Sequence, residues 1–131
     1  MPLLAVIVGA LVGATLRLGI DALLPHTDEA FPWSTLLINV VGAFALGALV
    51  ARVWPTAPDW LRAGLGAGLL GTFTTFSALA VSLVALADAG EWALALLYLV
   101  VTMAAGLAAA WAGIALFRAP TTPLAGPEAA E

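Results

Sequence analysis

Four long apolar stretches, over about residues 3–24, 33–54, 60–87 and 92–117, dominate this chain of 131 residues. Each one reaches the roughly 20 residues that a helix needs to cross the hydrocarbon core of a membrane. All eight carboxylates lie at the ends of these stretches, between them or in the tail. We therefore predict an all-α membrane domain of four transmembrane helices over residues 1–118, followed by a disordered polar tail over residues 119–131.

The charge content excludes several classes of protein. Only 9% of the residues are charged and 63% are hydrophobic, whereas a globular domain that faces water carries roughly 25% charged residues. The net charge of −4 opposes nucleic-acid binding, which needs clustered cations to neutralise phosphates. A single histidine and the absence of cysteine leave no His-dependent triad or Cys nucleophile. We predict that the chain is not an enzyme.

The four arginines indicate how the helices are oriented. Arg52, Arg62 and Arg118 fall on the side that also carries both termini, which favours the cytoplasm for that side. Arg17 is alone on the other side, near the end of the first helix. It has two interpretations: it pairs with Asp21 four residues later, or it lies at the mouth of a vestibule and attracts anions.

The third stretch contains an unusual segment near its middle. Its 28 residues would form a rod roughly 42 Å long, and residues 71–77, Gly-Thr-Phe-Thr-Thr-Phe-Ser, are poor helix formers. One interpretation is a straight, tilted helix whose hydroxyls bond back to the preceding turn. The other is a broken helix with free carbonyls, which a membrane tolerates only where they are buried in protein or line a watery cavity.

Neutral polar side chains are the other unusual feature of the apolar stretches: Asn39, Thr74, Thr75, Ser77, Tyr98 and Thr102. A cation or proton pathway would normally use a membrane-embedded carboxylate, whereas an anion can be held by hydroxyls, amides and the positive edges of aromatic rings. Each hydroxyl could instead satisfy its local backbone or a neighbouring helix. Asn39 needs partners at membrane depth, so we expect an oligomer in which the polar faces meet.

Three pairs of glycines predict close contact between helices, because small residues let helix backbones approach in lipid. These pairs are Gly9 and Gly13, Gly42 and Gly47, and Gly64 and Gly68.

Three motifs follow one another along the chain: a Gly…Gly-Ala-x-x-Arg opening at residues 9–17, Thr-Leu-x-x-Asn-x-x-Gly-x-Phe-x-x-Gly at residues 35–47, and Gly-x-x-Thr-Thr-Phe-Ser at residues 71–77. Together they resemble the motifs of the CrcB/Fluc family of bacterial fluoride channels. The resemblance covers roughly residues 3–117. It implies a fluoride-exporting channel in the plasma (inner) membrane of a bacterium, with a broken third helix, and an antiparallel, dual-topology dimer with two pores.

The same resemblance implies roles for individual residues. It implies a structural Na⁺ at the dimer centre, held by the backbone carbonyls of Gly71 and Thr74. It implies a fluoride pathway formed by Asn39, Phe76, Tyr98 and Thr102, with Thr75 and Ser77 as neighbours of the ion.

The chain departs from the family pattern just after Phe76. Ala78 stands where the family has a hydroxyl, and Leu79 where it has a second phenylalanine. A leucine offers no positive ring edge to an anion, so at least one pore built from this chain is expected to be impaired. Two assemblies stay open: a homodimer, or one half of a channel built from paired, homologous subunits. A small multidrug exporter is a weaker alternative, because the first stretch has no carboxylate before Asp21.

Overall fold

The computed structural model describes residues 1–25, 27 and 29–118. Four helical spans in this part are long and apolar enough to cross a membrane: Pro2–Leu23, Trp33–Val53, Asp59–Asp88 and Trp92–Phe117. Their ends agree with the predicted stretches to within one residue, which confirms the prediction of four transmembrane helices. The predicted polar tail lies outside the described residues.

Two of the spans are not uniform α-helices. The second is α-helical over Trp33–Ala48 and continues as a wider π-helix over Leu49–Val53. The third consists of the short α-helix Asp59–Ala63, the π-helix Gly64–Leu70, a single turn at Gly71–Phe73 and the α-helix Phe76–Asp88. We call residues 59–73 the first half of the third span and Phe76–Asp88 its second half.

Glycines set the distance between the spans, as predicted. A Cβ on Gly9 would overlap with the carbonyl oxygen of Gly64, so the first span packs directly on the first half of the third. A Cβ on Gly47 would overlap with the carbonyl oxygen of Ala110, and one on Gly113 with that of Phe44. The backbones of the second and fourth spans are therefore in direct contact. In lipid no hydrophobic effect drives helices together, so this close van der Waals packing stabilises the pair.

The interior is small and lies around Tyr98, between the second span, the second half of the third and the fourth. Leu36, Leu79, Leu86 and Ala95 form a buried cluster with it. Most other large apolar side chains point outward, as expected for helices whose solvent is lipid.

Candidate functional site

The third span breaks at two threonines. Thr74 and Thr75 have extended backbones, with φ, ψ of −75°, 154° and −147°, 119°. The Thr74 hydroxyl does bond back to the carbonyl of Leu70 at 2.9 Å, but this bond does not carry the helix across the break. The interpretation as a straight, tilted helix is therefore wrong, and the third span is broken near its middle.

The side chain of Asn39, on the second span, forms hydrogen bonds with the backbone at the break. Its amide nitrogen donates to the carbonyl oxygen of Thr75 at 3.0 Å, and the Thr75 N–H donates to its Oδ1 at 2.8 Å. The side chain thus supplies an acceptor for the Thr75 N–H, which the missing helical turn leaves free. It also adds a second donor to the Thr75 carbonyl, which as the N-cap carbonyl already accepts the first bond of the second half of the third span. This corrects the expectation that Asn39 needs an oligomer to find partners, because the break supplies them within the same chain.

Thr75 also begins the second half of the third span. Its hydroxyl accepts the N–H of Ala78 at 3.1 Å, which is the usual bond of an N-terminal cap, and lies 3.1 Å from the hydroxyl of Ser77. The hydroxyls of Thr75 and Ser77 are thus engaged locally.

The break leaves backbone acceptors free on its other side. When a helix ends, its last four carbonyls lose their helical partners, and here these are the carbonyls of residues 71–74. Gly71 and Thr74 both line a groove of about 900 Å³ that lies between the second, third and fourth spans.

This groove brings together six of the nine predicted site residues: Asn39, Gly71, Thr74, Thr75, Phe76 and Thr102. Ser77, Tyr98 and Arg17 are not among its lining residues. None of the lining residues is a carboxylate, and the groove is open along one side, where the side chain of Phe76 is 78% exposed. The described residues that line the groove thus place no negatively charged side chain in the way of an anion.

Thr102 connects the groove with a buried group of hydroxyls. Tyr98, one turn earlier on the same face, is fully buried, and its polar neighbours are Thr35, Ser82 and Thr102. The hydroxyls of Tyr98 and Thr102 nevertheless have no hydrogen-bond partner in the described part of the chain. A buried hydroxyl without a partner costs about 1–3 kcal/mol, and this pair leaves two O–H donors available beside the groove.

Two members of this hydroxyl group, Thr35 and Ser82, were not predicted as site residues. Thr35 precedes Asn39 by four residues and so shares its helix face, a signal that the sequence contains. Ser82 is a lone hydroxyl in the second half of the third span, and periodicity alone gave no reason to select it.

Comparison with known proteins identifies the family. The family model described as CrcB-like protein, Camphor Resistance (CrcB), matches residues 4–114. This chain belongs to the CrcB family. It is 38% identical over 118 residues to the fluoride-specific ion channel FluC 1 of Cutibacterium acnes, covering 86% of this chain and 82% of the relative. It is 42% identical over 111 residues to FluC 2 of Symbiobacterium thermophilum, covering 80% and 88%.

A third CrcB relative, the fluoride-specific ion channel FluC 2 of Geobacillus kaustophilus, is 36% identical over 118 residues, which cover 88% of this chain and 92% of the relative. The resemblance seen in the sequence motifs is thereby confirmed. These relatives are named as ion channels, which also confirms that the chain is not an enzyme.

The arginine that this CrcB chain presents to the groove is not the one selected from the sequence. Arg17 lies half-buried on the first span and does not line the groove. Arg62, at the start of the third span, does line it, together with Trp54. In the sequence, Arg62 indicates only how the helices are oriented, because a count of charges does not show which helix face a side chain occupies.

Leu79, the departure from the family pattern, has a structural role in this chain. Its side chain is 3% exposed and packs in the buried cluster with Tyr98, and it also lines the groove. The leucine therefore fills the space beside the free hydroxyls with an aliphatic surface.

Proposed function

We propose that this chain forms a fluoride-selective ion channel that exports fluoride and lowers its concentration in the cytoplasm. The observation that carries the proposal is the pair of buried, unpartnered hydroxyls of Tyr98 and Thr102, reached from the groove through Thr102. The relatives that match most of this chain are named fluoride-specific ion channels, which supports the choice of fluoride among small anions.

The donors along this route suit an anion that exchanges its water one molecule at a time. Asn39 uses its Oδ1 and one amide hydrogen on Thr75, which leaves its second amide hydrogen free. Thr102 and Tyr98 then offer O–H groups, and the exposed ring of Phe76 offers its positive edge. Because every donor is neutral, the guest is bound weakly enough to leave, as conduction requires.

We further propose that the channel is an antiparallel dimer with two pores. An isolated chain would expose the free carbonyls of the break and the ring of Phe76 along the open side of the groove. Irregular backbone at membrane depth is tolerated only when it is buried in protein or lines a water-filled cavity. A second copy covering the open side would meet this requirement.

A structural Na⁺ at the dimer centre fits the donor set of the break. Gly71 and Thr74 line the groove, and their carbonyls precede the interruption, so both oxygens lack helical partners. Unwound backbone carbonyls hold Na⁺ in membrane transporters in the same way. The equivalent oxygens of the second copy would complete the set, and the bound ion would supply positive charge that holds the two breaks together.

The assembly has a second candidate, a pair of unlike subunits of which this chain is one half. Two observations favour this assembly. The three-to-one distribution of arginines indicates a fixed orientation, which suits a subunit with a dedicated partner. The buried leucine at position 79 replaces the second phenylalanine of the family pattern, which suits a subunit whose own pore is impaired. For either assembly we propose the plasma (inner) membrane of a bacterium, since the named relatives are bacterial channels. The multidrug-exporter alternative has no support in the family or in the lining of the groove.

Fluoride efflux from liposomes that contain this purified chain alone tests the proposal. We expect rapid fluoride efflux and no chloride efflux from matched chloride-loaded liposomes. Efflux of both anions would contradict fluoride selectivity. Absence of efflux from well-folded protein would exclude the homodimer, and absence also after reconstitution with a homologous subunit from the same genome would contradict the channel function.

Thr102→Val tests whether the free hydroxyl serves the ion. We expect fluoride efflux to fall about tenfold, because one hydrogen bond of about 1–3 kcal/mol is lost along the path. The melting temperature should not fall, since the removed hydroxyl has no partner. Thr15→Val is the control: it removes an exposed hydroxyl that bonds to the carbonyl of Leu11, far from the groove, and should leave efflux unchanged. Equal efflux from both variants would contradict the role of Thr102.

A further inference from the structure

Arg62 differs from the other arginines on its side of the membrane. Arg52 and Arg118 are exposed and do not line the groove. Arg62 is exposed as well, but it does line the groove, and its position at the start of the third span places it at the end that faces the loop between the second and third spans. A guanidinium remains charged at any physiological pH, and no carboxylate lines the groove to neutralise it.

Trp54 brings a second donor to the same end. Gly66 lies one turn after Arg62 on the same helix face, and a Cβ there would approach Cζ2 of the Trp54 ring at 3.3 Å. The Trp54 indole nitrogen is buried, and its N–H has no acceptor in the described part of the chain. An indole N–H can only donate, so it needs an acceptor from outside the described residues.

We propose that Arg62 and the Trp54 indole N–H form an anion-capture site at this end of the groove, which collects fluoride before it reaches Asn39 and Thr102. This inference rests on the proposed channel function and extends it to the entrance. The guanidinium attracts anions over the distance that salt screening allows, and the indole N–H gives an arriving anion a first donor in place of water. The ion then moves to the neutral donors further along the groove, Asn39 and Thr102.

The test compares fluoride efflux through wild type, Arg62→Gln, Arg62→Lys and the matched control Arg52→Gln in liposomes of zwitterionic lipid. At low ionic strength we expect Arg62→Gln to reduce efflux about tenfold, the lower limit for loss of electrostatic attraction at a charged cleft. The deficit should shrink in high salt, because the Debye length falls from about 30 Å at 0.01 M to about 3 Å at 1 M. Arg62→Lys should conduct nearly as wild type, and Arg52→Gln should conduct as wild type at both salt concentrations.

Trp54→Phe keeps the ring against Gly66 and removes only the N–H. We expect it to raise the fluoride concentration at which efflux is half-maximal by several-fold, with an unchanged melting temperature. An unchanged half-maximal concentration would show that the Trp54 N–H does not contribute to anion binding at this site.

Three results would overturn the inference. If the efflux through Arg62→Gln at low salt equals the efflux through Arg52→Gln, Arg62 attracts no ion. The channel function would still stand in that case, because the wild type conducts. A deficit that is independent of salt and accompanied by a lower melting temperature would assign Arg62 a structural role. A deficit confined to liposomes of anionic lipid would assign it to a lipid phosphate. Absence of wild-type efflux would instead contradict the channel function itself.

Discussion

Asn39→Leu is expected to abolish fluoride efflux and to lower the free energy of unfolding by about 1–3 kcal/mol, because the buried Thr75 N–H loses its acceptor. The leucine has the same branched shape and the same number of side-chain heavy atoms as the asparagine and is the larger of the two, so the loss does not arise from a cavity. The leucine side chain would face the Thr75 N–H and offers no acceptor in place of the amide oxygen. The two halves of the third span would lose the bonds that fix their relative position.

Unfolding of the purified variant in detergent micelles, followed by circular dichroism, measures this effect. Ser34→Ala is the matched control: Ser34 is buried on the same span, and its hydroxyl has no partner, so its removal should cost nothing. If Asn39→Leu proves as stable as Ser34→Ala, the two hydrogen bonds do not hold the break together. If it is less stable but still conducts normally, the position of Thr75 does not govern conduction.

The four spans could be predicted from the sequence because the membrane imposes a length and an apolar composition on each helix separately. The break at Thr74 and Thr75 was one of two alternatives. Local propensity shows that residues 71–77 form a poor helix, but it does not show whether a neighbouring side chain replaces the missing bonds. That neighbour is Asn39, which is 36 residues away from Thr75 along the chain, and no local pattern connects them.

Which residues line the groove could not be predicted from the sequence either. Hydropathy places Arg17 and Arg62 near helix ends, but the face that each presents depends on which spans pack together. The pairing of the first span with the third, and of the second with the fourth, puts Arg62 at the groove and leaves Arg17 away from it. The hydroxyls of Tyr98 and Thr102 were selected for their chemistry, but only the packing shows that they are buried without partners.

Gly13→Ala is expected to destabilise the contact between the first and third spans. A Cβ on Gly13 would overlap with the carbonyl oxygen of Leu69 and the hydroxyl of Thr72. That hydroxyl donates to the carbonyl of Ala10 at 3.0 Å and to that of Gly68 at 2.9 Å, so it joins the two spans just before the break. Since a backbone carbonyl cannot rotate away as a side chain can, the first half of the third span must shift, at a cost of about 1–3 kcal/mol.

Gly19→Ala makes the same chemical change on the same helix, where a Cβ meets no atom within 4 Å. There the better helix propensity of alanine should stabilise the protein by up to about 1 kcal/mol. The two variants should therefore differ by about 1–4 kcal/mol in unfolding free energy. Fluoride efflux should fall in Gly13→Ala alone, because a shift of Thr72 is transmitted through two residues to the carbonyl of Thr74. Equal stabilities would mean that the first span tolerates a wider separation from the third. Normal efflux from a destabilised Gly13→Ala would mean that the position of the break is fixed by Asn39 rather than by the first span.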